Sequence, residues 1–106
     1  MAKEITMYDF ETEVLNNSKP VIVDFYADWC GPCKMMAPVF KELSSEITDC
    51  DFYKINIDNE QDLASKYQVM SIPTVIIFKD GEPVLTSVGF LSKDDLAEKI
   101  ESVVNG

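Results

Sequence analysis

Residues 20–34 read PVIVDFYADWCGPCK and contain the two most informative features of the chain. The first part, residues 20–27, is nearly continuous apolar sequence with several β-branched side chains, which predicts a central strand buried on both faces. The second part places Cys30 and Cys33 three residues apart at the head of a helix-like run. A helix N-terminus carries partial positive charge and unpaired N–H groups, which favour the thiolate that attacks disulfides. The pattern therefore predicts a reversible dithiol/disulfide centre at the start of a helix.

Two other uses of a C-x-x-C pair are less well supported. A zinc site needs four ligands, whereas the chain has no histidine and only Cys50 beyond the pair, so we expect no metal site. A purely structural bridge across so short a loop adds only about 2 kcal/mol in the chain-entropy model. An exchangeable disulfide is the better interpretation.

Length and composition indicate one domain spanning residues 1–106, because 46% of the residues are hydrophobic and a chain of this size can bury an adequate core. The net charge is −10, with 19 acidic residues against nine lysines and no arginine. This balance argues against nucleic-acid binding, which requires cationic contacts to phosphates. The absence of histidine excludes Ser-His and Cys-His catalysis, and no glycine-rich nucleotide motif suggests a cofactor.

Cysteine usage and hydropathy bear on the compartment. Three cysteines are an odd count, unlike the disulfide framework of a small secreted domain. No signal-peptide pattern opens the sequence, and no apolar run approaches membrane-spanning length. We therefore expect a cytoplasmic protein with no membrane partner.

Local patterns predict eight further elements besides the central strand. A helix is expected to open at residues 5–10, capped by Thr6, and another to follow the cysteines, with Pro38 inside it. Further strands are expected at residues 52–57, 74–78 and 84–88, helices at residues 60–67 (capped by Asp58 or Asn59) and after Ser92, and a short strand before the first helix.

The order β-α-β-α-β-α-β-β-α predicts an α/β fold. Its early βαβ units imply parallel strands with right-handed crossovers, and Asp80-Gly81 predicts an antiparallel hairpin. Pro83 suggests that the last strand lies at an edge. The expected architecture is a central mixed sheet of about five strands, with about four helices on both faces. Sites in such sheets form at the carboxyl ends of strands, where Cys30 lies.

Four separate stretches of the chain resemble the thioredoxin family: residues 29–34, Asp24 within the central strand, residues 72–74, and Val88-Gly89. Their order and spacing agree over essentially the whole chain. The resemblance implies the thioredoxin fold and a protein-disulfide reductase that acts as a monomer and binds no cofactor. Its partners would be disulfide-containing substrate proteins and a thioredoxin reductase.

The chain departs from the family pattern at a few positions. Tyr26 stands where many members carry a second tryptophan, and Ser71 stands where a glycine is common. Asp28 adds a negative charge near the cysteines, and Cys50 is extra. None of these changes removes a residue that the chemistry requires.

The cysteine motif supplies the reacting atoms. Cys30 would be the attacking nucleophile and Cys33, expected to be the less exposed thiol, would resolve the mixed disulfide. Gly31 and Pro32 set the backbone between them, since proline has no N–H to lose in a first helical turn. Cys50, beside two acidic residues, is interpreted as a spare thiol of low reactivity.

Asp24 and Lys54 complete the catalytic set that the resemblance implies. Asp24 is either a solvent-facing strand residue or a buried carboxylate. In the second case its pKa rises, and it can exchange a proton with Cys33 through water. Lys54 is either an ordinary exposed lysine or, as the resemblance implies, a neighbour that modulates Asp24.

The resemblance also implies a substrate-binding rim beside Cys30. The Ile72–Pro73 peptide bond is expected to be cis, so that the backbone of Ile72 can pair with an extended substrate. Trp29, Ile72, Gly89 and Phe90 would form an apolar rim around the thiol, although loop packing alone explains Phe90 equally well. A competing class is a binding module that uses this fold as a scaffold and does not depend on its thiols.

Overall fold

Five strands and four α-helices occupy residues 2–106, the part of the chain that the computed structural model describes. In chain order the elements are β1 (Lys3–Glu4), α1 (Met7–Phe10), a π-helical segment (Glu11–Leu15), β2 (Val21–Tyr26), α2 (Gly31–Glu46), β3 (Asp51–Asn56), α3 (Gln61–Lys66), β4 (Thr74–Lys79), β5 (Glu82–Val88) and α4 (Lys93–Val104). The predicted order of elements is confirmed.

The strands form one mixed sheet in the order β1-β3-β2-β4-β5. β1, β3 and β2 run parallel, while β4 is antiparallel to both β2 and β5. β2 is therefore the central strand, and its first five residues are buried, as predicted. β5 is an edge strand, as Pro83 suggested, and the ladder shifts register where that proline pairs with Phe78.

The sheet is covered on both faces by apolar clusters. One cluster lies beneath α1, the π-helical segment and α3, and comprises Ile5, Phe10, Val14, Val21, Val23, Phe25, Ile55, Leu63, Ile76 and Phe78. The other lies beneath α2 and α4, and comprises Ile22, Met36, Phe40, Leu43, Cys50, Phe52, Val75, Ile77, Leu96 and Ile100. Alternate residues of β2 and of β4 enter opposite clusters, which explains why these two strands are continuous apolar sequence.

The helix starts agree with the sequence except at α3. The hydroxyl of Ser92 accepts a hydrogen bond from the N–H of Asp95 at 3.2 Å, as predicted for α4. Thr6 caps α1, but its hydroxyl accepts from Tyr8 at 3.3 Å. The cap predicted for α3 is wrong: Glu60 occupies the N-cap position, and within residues 2–106 its side chain makes no capping hydrogen bond. Its Oε1 accepts a hydrogen bond from the N–H of Met7 at 2.8 Å. The side chain of Asp58 instead accepts a hydrogen bond from the indole N–H of Trp29, which is distant in the sequence.

The first helix changes type after one turn. From Glu11 it continues as a π-helix, in which the N–H of Asn16 donates to the carbonyl of Glu11 at 2.9 Å. Phe10 and Val14 both remain buried in the core. So short a run has too few apolar positions to distinguish a π-helix from an α-helix in the sequence.

The β4–β5 hairpin yields a stability prediction. Asp80 and Gly81 have positive φ values of 54° and 80°, as the predicted two-residue turn requires. A Cβ at Gly81 would lie 2.9 Å from the carbonyl oxygen of Leu15. Gly81→Ala should therefore lower the free energy of unfolding by about 1–3 kcal/mol in denaturant titrations. Gly31→Ala, where a Cβ meets nothing within 4 Å, is the control. Equal stability of the two variants would contradict this prediction.

Candidate active site

The connection between β2 and α2 places Cys30 at the N-cap of a 16-residue helix. Its backbone is extended, and its sulfur accepts a hydrogen bond from the N–H of Cys33 at 3.2 Å. The carbonyl of Cys30 accepts from Lys34 at 3.1 Å, which begins the helical ladder. Pro32 lies within the first turn, where its missing N–H leaves no helical bond unmade. The Cys30 sulfur thus lies where helix N–H groups and the helix dipole stabilise negative charge.

Cys30 and Cys33 are joined in a disulfide, with their Cα atoms 5.2 Å apart. In this oxidised form the two residues are almost equally buried, at 4% and 3% exposure. The expected difference in exposure is therefore not seen. The two sulfurs differ in position: Cys30 caps the helix, whereas Cys33 belongs to its first turn and lines a cavity that also contains Asp24.

The loop that precedes β4 contains a cis peptide bond and lies beside the disulfide. The Ile72–Pro73 bond is cis, as the resemblance implied. The carbonyl oxygen of Ile72 lies 3.7 Å from the Cys30 sulfur, and Ile72 packs against the small cluster of Ala27, Cys30 and Cys33. The N–H of Gly89, which has a φ of 98°, donates to the carbonyl of Pro73 at 2.8 Å. The loop and the end of β5 are thereby joined beside the cysteines.

Two aromatic side chains lie exposed near these loops. Trp29 is 68% exposed, and its indole Nε1 donates to Asp58 at 2.9 Å. The N–H of Asp58 in turn donates to the side chain of Asn56 at 2.9 Å. Phe90, which follows Gly89, is 44% exposed. The sequence did not indicate these roles of Asp58 and Asn56, because neither residue belongs to a motif. Asp58 reaches Trp29 only because β3 packs beside β2, and Asn56 supports Asp58.

Asp24 is buried in β2, and within residues 2–106 neither of its carboxylate oxygens has a hydrogen-bond partner. It lines a cavity of about 130 Å³ together with Cys33 and Lys54. Burial raises the pKa of Asp24 from 3.8 to about 7, and the positive charge of Lys54 opposes part of that rise. The solvent-facing alternative for Asp24 is therefore wrong, and the carboxyl group can change its protonation near neutral pH.

Cys50 lies away from the redox pair. It is 5% exposed and packs in the cluster beneath α2 and α4, immediately before β3. Burial and the negative charges of Asp49 and Asp51 raise the pKa of its thiol, which agrees with the low reactivity expected for Cys50. A buried thiol held in the protonated form is a poor nucleophile.

Comparison with known proteins identifies the family. The thioredoxin family model matches residues 1–102. The chain belongs to the thioredoxin family. It is 47% identical over 102 residues to a thioredoxin of Mycobacterium tuberculosis, covering 95% of this chain and 88% of that protein. A thioredoxin of Staphylococcus aureus is 48% identical over 99 residues, covering 92% and 93% of the two chains. One of Mycoplasmoides gallisepticum is 40% identical over 99 residues, covering 93% and 99%.

Membership of the thioredoxin family indicates the chemistry of the Cys30–Cys33 pair. The chain is a thiol–disulfide oxidoreductase with protein-disulfide reductase activity, and the Cys30–Cys33 pair fits the active-site dithiol of the thioredoxin family. The family implies disulfide-containing substrates and a reductase partner in general. Within residues 2–106, no helix is both long enough and apolar enough to cross a membrane.

The unpartnered carboxyl group of Asp24 should make stability depend on pH. Because the pKa of Asp24 is higher in the folded chain than in the unfolded chain, the free energy of unfolding falls as pH rises from about 4 to about 7. Asp24→Asn should abolish this pH-dependent loss of stability, because asparagine has no carboxyl group to ionise. The stability difference between variant and parent should grow by up to about 4 kcal/mol between pH 4 and pH 8.

Denaturant unfolding of the oxidised proteins at several pH values measures this difference. The control is Asp62→Asn, which alters an exposed carboxylate in α3 and should show no comparable growth with pH. A constant difference between Asp24→Asn and the parent across this range would show that Asp24 is not a buried titrating group.

Proposed function

We propose that this chain is a cytoplasmic, monomeric electron carrier that reduces disulfides in other proteins, with Cys30 as nucleophile and Cys33 as resolving thiol. The observation that carries the proposal is the position of Cys30, which caps α2 beside the Ile72–Pro73 loop while Cys33 lies one turn further on. The net charge of −10 opposes self-association. The unpaired Cys50 suits a reducing compartment.

The first step is attack on the target. The Cys30 thiolate attacks one sulfur of the substrate disulfide, that S–S bond breaks, and the leaving sulfur departs as a thiolate that takes up a proton. A mixed disulfide now joins Cys30 to the substrate. Hydrogen bonding from the N–H of Cys33 to the Cys30 sulfur supports this assignment, because it stabilises the negative form of the attacking atom.

The second step releases the reduced target. Cys33 loses its proton and attacks the Cys30 sulfur, and the substrate leaves as a second thiolate that is then protonated. Two electrons have passed from the dithiol to the substrate, and the Cys30–Cys33 disulfide remains. Asp24 accepts the Cys33 proton, because both groups line one cavity and the pKa of Asp24 is about 7. Lys54 modulates this transfer through its charge.

Substrate would bind across the loops beside Cys30. The backbone of Ile72, preceding Pro73, would pair with an extended segment of the target, since its carbonyl already lies 3.7 Å from the reacting sulfur. Trp29, Gly89 and Phe90 would form the remainder of an apolar rim around it. The exposure of both aromatic side chains supports a contact role over loop packing alone.

A reductase partner must restore the dithiol after each cycle. We propose a thioredoxin reductase, whose own thiols would exchange with the Cys30–Cys33 disulfide by the same chemistry in reverse. The chain itself then needs no cofactor and no metal, because thiol–disulfide exchange moves electrons between sulfur atoms alone.

The two cysteine assignments predict different failures. Cys33→Ser should still attack target disulfides through Cys30 and then stall, because no thiol remains to displace the target. Substrate proteins should accumulate as mixed disulfides, seen on non-reducing gels and released by dithiothreitol. Cys30→Ser should trap little, and Cys50→Ser should behave like the parent. Equal trapping by the Cys30 and Cys33 variants would overturn the assigned order.

A double variant that lacks both active-site cysteines distinguishes an enzyme from a scaffold. The Cys30→Ser, Cys33→Ser double variant should fail to reduce insulin with dithiothreitol as electron source, and it should fail to replace the parent in cells. Full biological activity of the double variant would favour the binding-module alternative.

A further inference from the structure

The side chains of Glu4, Lys54 and the buried Asp24 form a row across three neighbouring strands. Glu4 of β1 is paired in register with Lys54 of β3, and Lys54 is paired in register with Asp24 of β2. Residues that face each other across adjacent strands project from the same face of a sheet. Lys54 therefore lies between two carboxylates, one exposed at the edge of the sheet and one buried within it.

Tyr26 contacts two members of this row, Glu4 and Lys54. It lies two residues beyond Asp24 on β2, and therefore on the same face of the sheet. Its hydroxyl donates to Oε1 of Glu4 at 2.5 Å, and Nζ of Lys54 lies 4.3 Å from the centre of its ring. Within residues 2–106, neither carboxylate of the row comes within 4.0 Å of the Lys54 nitrogen. A cation–π contact thus holds the ammonium group between the two acids.

We infer that Tyr26 and Glu4 are positioning residues that fix the place of the Lys54 ammonium group, and thereby the pH range over which Asp24 exchanges its proton. Tyr26 stands where many members of the family carry tryptophan, which has no hydroxyl to donate to Glu4. The effect on catalysis rests on the proton-accepting role proposed above for Asp24.

Electrostatics explains why the place of one ammonium group matters. Burial of Asp24 raises its pKa and the charge of Lys54 lowers it, so a movement of Lys54 changes the balance between these two opposing effects. Burial and the bond to Glu4 raise the pKa of Tyr26, which keeps its hydroxyl protonated as a donor. The titratable or charged side chains that line the cavity of Asp24 are Tyr26, Asp28, Lys34 and Lys54, and Cys33 also lines it in its disulfide form.

The two positioning residues should have opposite effects. Glu4→Gln removes one of the two carboxylates that attract Lys54, so the ammonium group favours Asp24 and the titration midpoint of Asp24 falls. Tyr26→Phe keeps the ring but frees the Glu4 carboxylate, which then draws Lys54 toward the sheet edge, so the midpoint rises. We expect shifts on the order of half a pH unit in each direction. In the Glu4→Gln background, Tyr26→Phe should no longer raise the midpoint.

The midpoint can be measured directly as the pH dependence of the Asp24 carboxyl carbon signal in oxidised protein labelled with ¹³C-aspartate, with Asp24→Asn to assign the resonance. Tyr53→Phe is the matched control. Its hydroxyl donates to Glu13 at 2.9 Å, a bond of the same kind on the opposite face of the sheet, and its loss should leave the midpoint unchanged. In a Lys54→Met background, the Glu4→Gln shift should shrink by at least half.

The inference is overturned if Glu4→Gln and Tyr26→Phe leave the midpoint unmoved, shift it in the same direction, or keep their full effects without Lys54. Both substitutions are conservative, and amide spectra of each variant verify the fold. The pH profile of insulin reduction separates this inference from the proposed proton transfer. If the Asp24 midpoint moves as expected while the rate profile does not, the positioning roles stand and the proton-accepting role of Asp24 fails.

Discussion

The connection between β2 and α2 determines where the reacting sulfur lies, and the rest of the site depends on it. β2 is the buried central strand, so its carboxyl end lies between β3 and β4, and α2 begins after only four residues. That short connection makes Cys30 the N-cap, where its sulfur accepts an N–H from the first turn. The same strand carries Asp24 beneath the helix, where it shares a cavity with Cys33. One connection thus positions both cysteines and the carboxyl group together.

The burial of Asp24 is unfavourable for the fold, and the mechanism we propose makes use of it. A carboxylate without hydrogen bonds inside a protein loses much of its hydration energy and recovers little of it. The protein reduces this penalty because Asp24 becomes protonated near neutrality and because the positive charge of Lys54 acts on it without a direct ion pair. A direct ion pair would hold the pKa of Asp24 low, and its carboxylate would then be a poor acceptor for the proton of Cys33. The contacts of Tyr26 with Glu4 and Lys54 connect the edge strand β1 to the cavity that Asp24 and Cys33 line.

Much of the fold could be predicted from local sequence. The apolar run of β2, the Cys30–Cys33 spacing and the Asp80-Gly81 turn each specify their structure within a few residues, and all three were predicted correctly. The register of β1 against β3 could not be predicted, because β1 has only two residues and no alternating pattern. The contacts of Tyr26 with Glu4 and of Trp29 with Asp58 join residues 22 and 29 positions apart, and no local pattern indicates such pairs.

The central claim is that the N-terminus of α2 makes Cys30, and not Cys33 or Cys50, the reactive thiol. The most direct test is alkylation of the fully reduced protein with iodoacetamide across a range of pH, with each cysteine quantified by peptide mass spectrometry. The account predicts that at pH 7 Cys30 reacts at least roughly ten-fold faster than the other two, since alkylation follows thiolate fraction and access. Equal rates for Cys30 and Cys33, or a faster reaction at Cys33, would contradict it.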